Sequence, residues 1–342
     1  MLALVKTARG AGHLALEERP EPVPLAGWVT IAVRYAGICG TDIHIVDDEF
    51  PYWPPVTMGH EFVGTVTGLG DGVDAAWLGT RVVSEPHSLA CGTCHLCRRG
   101  LAELCASKRS PGWGIDGAFA SHLVMPTHLI HRVPDGLSDQ AAALAEPMAV
   151  SVTALARAGV DAGDIVLIVG PGPVGILVAA AARVMGAATV IVAGRHESDR
   201  LRFAASIGAV TAVGDAAVEL VEDLTAGRGA DLVVDATGSA EGIALALRAV
   251  RRRGRLVAVG MSGKPEVPIP WDLAVSRAID ASFSMSSNGT AWDPALMILE
   301  RAPELAAMTT VFPLGEWQAA LAAVRNRTVI KALLQPGSGA ET

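Results

Sequence analysis

Ile165-Val166-Leu167-Ile168-Val169-Gly170-Pro171-Gly172-Pro173-Val174-Gly175 is a tight apolar run that passes straight into G-x-G-x-x-G and then into an alanine-rich helical pattern. An apolar strand that opens a helix through glycines is the setting in which a pyrophosphate can approach a helix N-terminus. A glycine-rich turn used only for packing is the plainer reading, and the loop alone would not exclude it. The surroundings carry the argument further. Apolar runs recur at Thr189-Val190-Ile191-Val192, Leu232-Val233-Val234 and Leu256-Val257-Ala258-Val259, with alanine-rich helical stretches between them from about Ala141 onward. Strict alternation of strand and helix predicts an α/β fold with a doubly wound parallel sheet, a Rossmann domain.

Upstream, residues 1 to about 145 have another texture: short β-type segments, turns, proline and glycine. Val29 to Tyr35 alternates like a half-buried strand, and Phe62 to Gly70 reads as another with glycines where backbones come close. An antiparallel, barrel-like domain is expected there. Near residue 285 the helical rhythm weakens, and Val329-Ile330-Lys331-Ala332-Leu333-Leu334 is strand-like again, so the tail is expected to return to the first domain. The expected division is 1–147 with 285–342, and 148–284. The only low-complexity stretch is the polar Gly337-Ser338-Gly339-Ala340.

Composition narrows the function classes. The chain has 342 residues, too many for one ordinary core. A net charge of −8 argues against a nucleic-acid partner. Arg251-Arg252-Arg253 is the one dense basic run, and it reads as a solvated helix end before Gly254. No apolar run approaches the roughly 20 residues that a membrane helix needs, and the N-terminus lacks a secretory signal pattern, so a cytoplasmic location is expected.

Four of the five cysteines form C-x2-C-x2-C-x7-C: Cys91, Cys94, Cys97 and Cys105. Such spacing on a glycine-containing loop suits a closed, tetrahedral all-cysteine zinc site that staples a lobe. A reducing compartment disfavours disulfides. The bacterial iron–sulfur run has three residues between its last two cysteines and then proline, whereas Ala106 follows Cys105 here. The remaining cysteine lies in Gly37-Ile38-Cys39-Gly40-Thr41-Asp42-Ile43-His44, and about twenty residues on comes Gly59-His60-Glu61. A thiolate, an imidazole and a carboxylate from separate loops are the makings of an open catalytic zinc site.

Gly59-His60-Glu61-Phe62-Val63-Gly64, with Gly70 and Val73, fits the G-H-E-x2-G-x5-G-x2-V signature of the zinc-containing medium-chain dehydrogenases at every fixed position. The resemblance spans essentially the whole chain. It is strongest to the sorbitol (polyol) and threonine dehydrogenase branch, because of Cys-Gly-Thr-Asp-x-His at 39–44 and Ala145-Glu146-Pro147. It implies that the first domain is a GroES-like catalytic β-barrel and that the chain moves a hydride between a secondary alcohol and NAD(P). It implies two zinc ions per chain, the catalytic one on Cys39 and His60, with Glu61 and Glu146 sharing the other positions directly or through water. Thr41 and His44 would relay the proton. A homodimer or homotetramer is the family habit.

Enzymes preferring NAD end the second sheet strand on an acid that grips the ribose. Here the chain reads Ala193-Gly194-Arg195-His196, with no acid before Glu197. Arg195, helped by His196 or Arg200, can pair with a 2′-phosphate, so NADP(H) is favoured over NAD(H). The expected dinucleotide contacts are Gly170, Gly172, Pro173, Val174, Gly175, Gly194, Arg195 and Arg200, with Val259, Gly260 and Met261 bordering the nicotinamide. Two other readings stay open: amino-alcohol oxidation of the threonine 3-dehydrogenase kind, and a zinc-stapled binding module without catalysis.

Overall fold

The computed structural model describes residues 1–337; the rest of the polar end, from Ser338 on, lies outside the described residues. The chain divides into two compact units, Met1–Glu146 with Asn288–Thr342, and Pro147–Ser287.

In the first unit the strands are β1 (Leu2–Lys6), β2 (Leu14–Glu18), β3 (Trp28–Gly37), β4 (Val56–Thr57), β5 (Glu61–Leu69), β6 (Arg81–Ser84), β7 (His122–Pro126) and β8 (Ile130–Arg132). Helix α1 (Gly40–Val46) follows β3 and α2 (Asp139–Ala142) follows β8; α3 (Ala145–Ala158) begins in this unit and from Pro147 belongs to the second. A small sheet runs β2-β1-β4, and β3, β5, β6 and β8 sit side by side in the larger one, with β7 also on β3. All these pairings are antiparallel. Inward residues such as Val29, Ile31, Val33, Val66, Val82 and Leu123 alternate along the strands and form one buried core with Phe119 and Met125.

The second unit alternates β9 (Ile165–Val169), α4 (Pro173–Val184), β10 (Thr189–Gly194), α5 (Asp199–Ser206), β11 (Val210–Val213), α6 (Ala216–Thr225), β12 (Ala230–Asp235), α7 (Ala240–Ala249), β13 (Val250–Ala258), α8 (Trp271–Ser276) and β14 (Asp280–Phe283). Its six strands run in the order β11-β10-β9-β12-β13-β14, all parallel. The order reverses at β9, so the glycine loop after that strand opens at the switch point of a doubly wound sheet. Val166, Leu167 and Ile168 are wholly buried, as a strand covered on both faces must be.

The tail belongs to the first unit and holds more helix than its weakened rhythm suggests: α9 (Trp292–Arg301) and α10 (Trp317–Arg325) flank β15 (Thr309–Pro313), and β16 (Lys331–Gln335) closes it. Strand β16 pairs parallel with β15 and antiparallel with β3. One expectation is corrected. Arg251-Arg252-Arg253 is not a helix end, since α7 stops at Ala249 and the arginines open β13. The pairing of β12 with β13 shifts register between Ala230 and Leu232, and Arg251 Nε donates to the buried Asp231 Oδ1 at 2.8 Å. That buried acceptor holds the run in the sheet. Among the described residues, no helix is long and apolar enough to cross a membrane.

Candidate active site and metal centres

Cys39 is the N-cap of α1, in extended conformation, so its side chain leaves the helix start while the next turn folds back beneath it. His60 precedes β5 and Glu61 begins it, and Glu61 pairs with Gly37 at the end of β3. A Cβ at Gly37 would come 2.2 Å from Glu61 Oε2, so glycine is what lets the carboxylate occupy that place. Gly59 has φ +92°, and a Cβ there would meet the Phe119 ring at 2.4 Å. The structure thereby brings one ligand atom each of Cys39, His60 and Glu61 within 4.8 Å of one another, with His60 and Glu61 buried.

Two residues to which the sequence reading gave no role organise this cluster. Asp42, fully buried, accepts the Cys39 backbone N–H at 2.8 Å, and its other oxygen faces His60 Nδ1 at 3.6 Å. Its signal was the three-residue spacing from the N-cap, that of a capping box. Lys331 of β16 is 3% exposed; its ammonium forms an ion pair with Glu61 Oε2 and donates to Ile38 O at 2.9 Å. A lone lysine in an apolar strand was its signal. Burial lowers the Lys331 pKa, but the negative charges of Glu61, Cys39 and Asp42 outweigh it and hold the ammonium charged. Burial likewise works against a charged His60, and Asp42 and Cys39 overcome it to raise its pKa.

Glu146 lies in the first turn of α3 and is buried. Burial and the neighbouring Glu61 raise its pKa to about 7, against the opposing pull of His60, Lys331 and Lys108. A thiol, an imidazole and one carboxylate gathered in a largely buried recess fit a divalent cation of borderline softness, and zinc suits that donor set; Glu146 stands outside the group that converges within 4.8 Å. Trp113 packs edge-on against His60 with ring centroids 5.0 Å apart, and Phe50 packs against Trp113 at 5.7 Å. Thr41 and His44 lie three residues apart on α1, hence on one face. His44 Nδ1 is 2.7 Å from Glu49 Oε2.

Cys91, Cys94, Cys97 and Cys105 form the second cluster. Cys91 Sγ is 3.6 Å from Cys105 Sγ and 3.9 Å from Cys97 Sγ. Four sulfurs at the zinc–thiolate distance would be about 3.8 Å apart along a tetrahedron's edge, so the spacing fits that ion. Backbone N–H groups of Thr93 and Cys94 bring the Cys91 thiol down to about 6, while desolvation and the adjacent sulfurs push Cys97 up to about 12. Thiols crowded in this way ionise together only with a cation among them.

In the second unit Gly170 has φ +108°, Gly172 caps α4, and Pro173 takes its first position. A Cβ at Gly175 would lie 1.9 Å from Gly170 O, so the loop closes only around glycine. At the end of β10 a Cβ on Gly194 would meet Leu201 Cδ1 at 2.8 Å, which leaves little room for an acidic side chain. Arg195 is exposed and Arg200 is half-buried in the first turn of α5. Asp235, unremarked as an organiser from sequence, is fully buried and accepts from Thr237 N, Thr237 Oγ1 and Gly238 N at 3.1, 2.6 and 3.0 Å. It ties that turn to Val259 and Gly260, whose N–H groups bond Asp235 O. Met261 is exposed beside them.

Residues 25–135 match the alcohol dehydrogenase GroES-like domain, and residues 173–301 match the zinc-binding dehydrogenase domain. The chain is 35% identical to sorbitol dehydrogenase of Halalkalibacterium halodurans, over 98% of this chain and 99% of that one. It is 31% identical to D-arabitol-phosphate dehydrogenase of Enterococcus avium, over 98% and 97%. A zinc-binding dehydrogenase from Sinorhizobium meliloti, solved bound to NADP, superposes with a TM-score of 0.89 at 29% identity, covering 98% and 99% of the two chains. The chain belongs to the zinc-containing medium-chain dehydrogenase family. Its class is that of the zinc-dependent alcohol dehydrogenases, with a nicotinamide dinucleotide as redox partner.

Proposed function

We propose that this chain oxidises a secondary alcohol of a polyol or sugar-derived substrate, reversibly, with NADP(H) preferred over NAD(H). The observation that carries the reading is the convergence of Cys39, His60 and Glu61 within 4.8 Å in a recess that fits zinc. The sorbitol and arabitol-phosphate dehydrogenase relatives support the polyol class.

Cys39 and His60 would hold the catalytic ion, with Glu61 or Glu146 completing its protein ligands. When bound, zinc supplies Lewis-acid polarisation of the substrate hydroxyl. The chain's own groups do the rest. Thr41 Oγ1 accepts the hydroxyl proton as it gives up its own into a relay that ends at His44, which, held by Glu49, releases a proton to water. Trp113 and Phe50 supply an apolar wall that keeps water away. In the second unit the Gly170–Gly175 loop and the start of α4 receive the pyrophosphate, Arg195 and Arg200 receive the 2′-phosphate, and Val259, Gly260 and Met261 border the nicotinamide. Cys91, Cys94, Cys97 and Cys105 hold a second, closed zinc. A reducing cytoplasm suits four such free thiols. A second copy would pair through edge strand β14, where Phe283 is 75% exposed; Trp271 and Val275 of α8 are exposed as well.

Metal analysis combined with reduction of NADP and NAD by a panel of polyols, polyol phosphates and threonine tests the reading. About two zinc ions per chain, polyol-dependent turnover lost in Cys39→Ser, and a higher kcat/KM with NADP are expected. Turnover undiminished in Cys39→Ser refutes the catalytic assignment, and a clear preference for NAD refutes the role of Arg195. Preference for threonine refutes the polyol reading, and zinc without turnover refutes catalysis.

A further inference from the structure

The second unit has a cavity of about 430 Å³ at the end of its sheet remote from the glycine loop. It is lined by Arg228, Arg248, Arg251, Arg252 and Arg277, with Glu222 the one carboxylate among its lining residues. Its position follows from topology. The lining residues lie in the last half of α6 and just after it, at the end of α7, at the start of β13 and just past α8, where the parallel strands begin. The Gly170–Gly175 loop follows the C-terminal end of β9, so the six-residue length of a strand such as β12, about 20 Å, separates the two.

Part of this arginine cluster is structural. Arg277 Nη1 donates to Leu247 O, Arg248 O and Val250 O at 3.4, 2.7 and 3.0 Å, and Arg252 Nη1 donates to Ser276 O at 3.0 Å, serving carbonyls that the helix ends leave open. Those acceptors are neutral. Arg228 and Arg251 share one oxygen, Asp231 Oδ1, at 3.3 and 2.8 Å, and Arg248 pairs with Asp215. Among the described residues neither Arg252 nor Arg277 has a carboxylate within ion-pair distance. Five guanidinium groups therefore face three carboxylates, Glu222, Asp231 and Asp215, in a chain whose net charge is −8. Glycine is required in one wall of the cavity: at Gly229, φ +95°, a Cβ would come within 2.9 Å of Ala249 O and of the Arg251 backbone.

We propose that this cavity is a second anion site, distinct from the dinucleotide site, that takes a small molecule bearing a phosphate or diphosphate group. Planar guanidinium groups pair with phosphate oxygens in bidentate fashion. The volume lies within the range of small-molecule pockets, about 300–1,000 Å³, so the ligand extends beyond the bare anion. The inference does not depend on which alcohol the enzyme oxidises.

The test is calorimetric titration of inorganic diphosphate into the zinc-loaded protein saturated with its reduced dinucleotide, which occupies the glycine-loop end. Wild type is compared with Arg252→Gln, Arg252→Lys and Arg248→Gln. Expected is saturable binding, weakened about tenfold in each glutamine variant, largely kept in Arg252→Lys, with dinucleotide affinity unchanged throughout. Arg252 is exposed and Arg248 is on the helix surface, so both variants should fold, and far-ultraviolet circular dichroism checks it. Diphosphate drawing zinc from the protein would give the same heat in all four proteins, and that result overturns the site, as does absence of saturable binding.

Discussion

Replacing Asp42 by asparagine should cost the chain most of its hold on the catalytic metal without unfolding it. The side chain is fully buried and touches two parts of the metal recess. Asparagine keeps the volume and a carbonyl oxygen, so the bond from the Cys39 N–H, 2.8 Å long, survives. What disappears is the negative charge 3.6 Å from His60 Nδ1. Two full charges at that distance interact by about 4–5 kcal/mol at an effective dielectric of ~20, which is an upper bound. A metal-bound imidazole carries part of a charge, and loss of such a supporting carboxylate ordinarily weakens metal affinity or activity 10- to 100-fold, or about 1.4–2.8 kcal/mol. Competition with a chromophoric chelator reads zinc affinity, and kcat/KM should fall within the same range. Asp42→Ala should lose in addition about 1 kcal/mol of fold stability, because the Cys39 N–H then lacks its acceptor. Zinc affinity within twofold of wild type in Asp42→Asn would refute the idea that this carboxylate sets the imidazole.

Lys331→Met should destabilise the first unit by about 3–5 kcal/mol, since it leaves the buried Glu61 uncompensated; chemical denaturation checks this, and Glu61→Gln in the same chain should restore much of the loss. Cys97→Ser should lower the melting temperature and release about one zinc equivalent while Cys39→Ser does not melt early; equal melting temperatures for the two would contradict the division of the cysteines. Asp231 is buried, which raises its pKa, yet bonds from the Ile165 N–H and from Arg251 and the charge of Arg228 prevail and leave it below the usual value. Its contribution to stability is therefore present above about pH 4 and is lost as pH falls through the lowered native value. Asp231→Asn should flatten that acid limb of the stability profile while lowering stability at neutral pH.

The parts of this protein that local sequence spells out are those with a fixed spacing or a strict period. Ile165–Val169 followed by glycines and an alanine-rich stretch spells a strand entering a helix through a glycine loop, and four cysteines in fifteen residues spell a cluster. Cys39 and Gly59-His60-Glu61 stand on separate loops, yet each sits in a short motif that is readable on its own. Lys331 was opaque for a physical reason: its meaning lies in Glu61, and only the pairing of β16 with β3 brings the tail to that strand. Asp42 was in plain view and still mute, because a buried carboxylate and a surface helix acid look alike in sequence. The arginine run after α7 misled because a helix often ends in basic residues before glycine; Asp231, which holds Arg251 in the strand, lies twenty positions upstream. The helices of the tail escaped because they are short, ten and nine residues, and separated by β15 and tight turns.

The lysine on β16 also bears on how the molecule is made. Its bond to Ile38 joins residues 293 positions apart, and the whole of Pro147–Ser287 is synthesised between them. As the chain leaves the ribosome, that middle portion is complete and able to fold while the unit begun first still lacks its last strands. Until Lys331 emerges, Glu61 has no ammonium beside it, and Cys39 and His60 wait in a half-built sheet. The recess of Cys39, His60 and Glu61 is thus finished last although these residues are translated first, and on the proposed assignment the Cys39 thiol is open to oxidation while it waits.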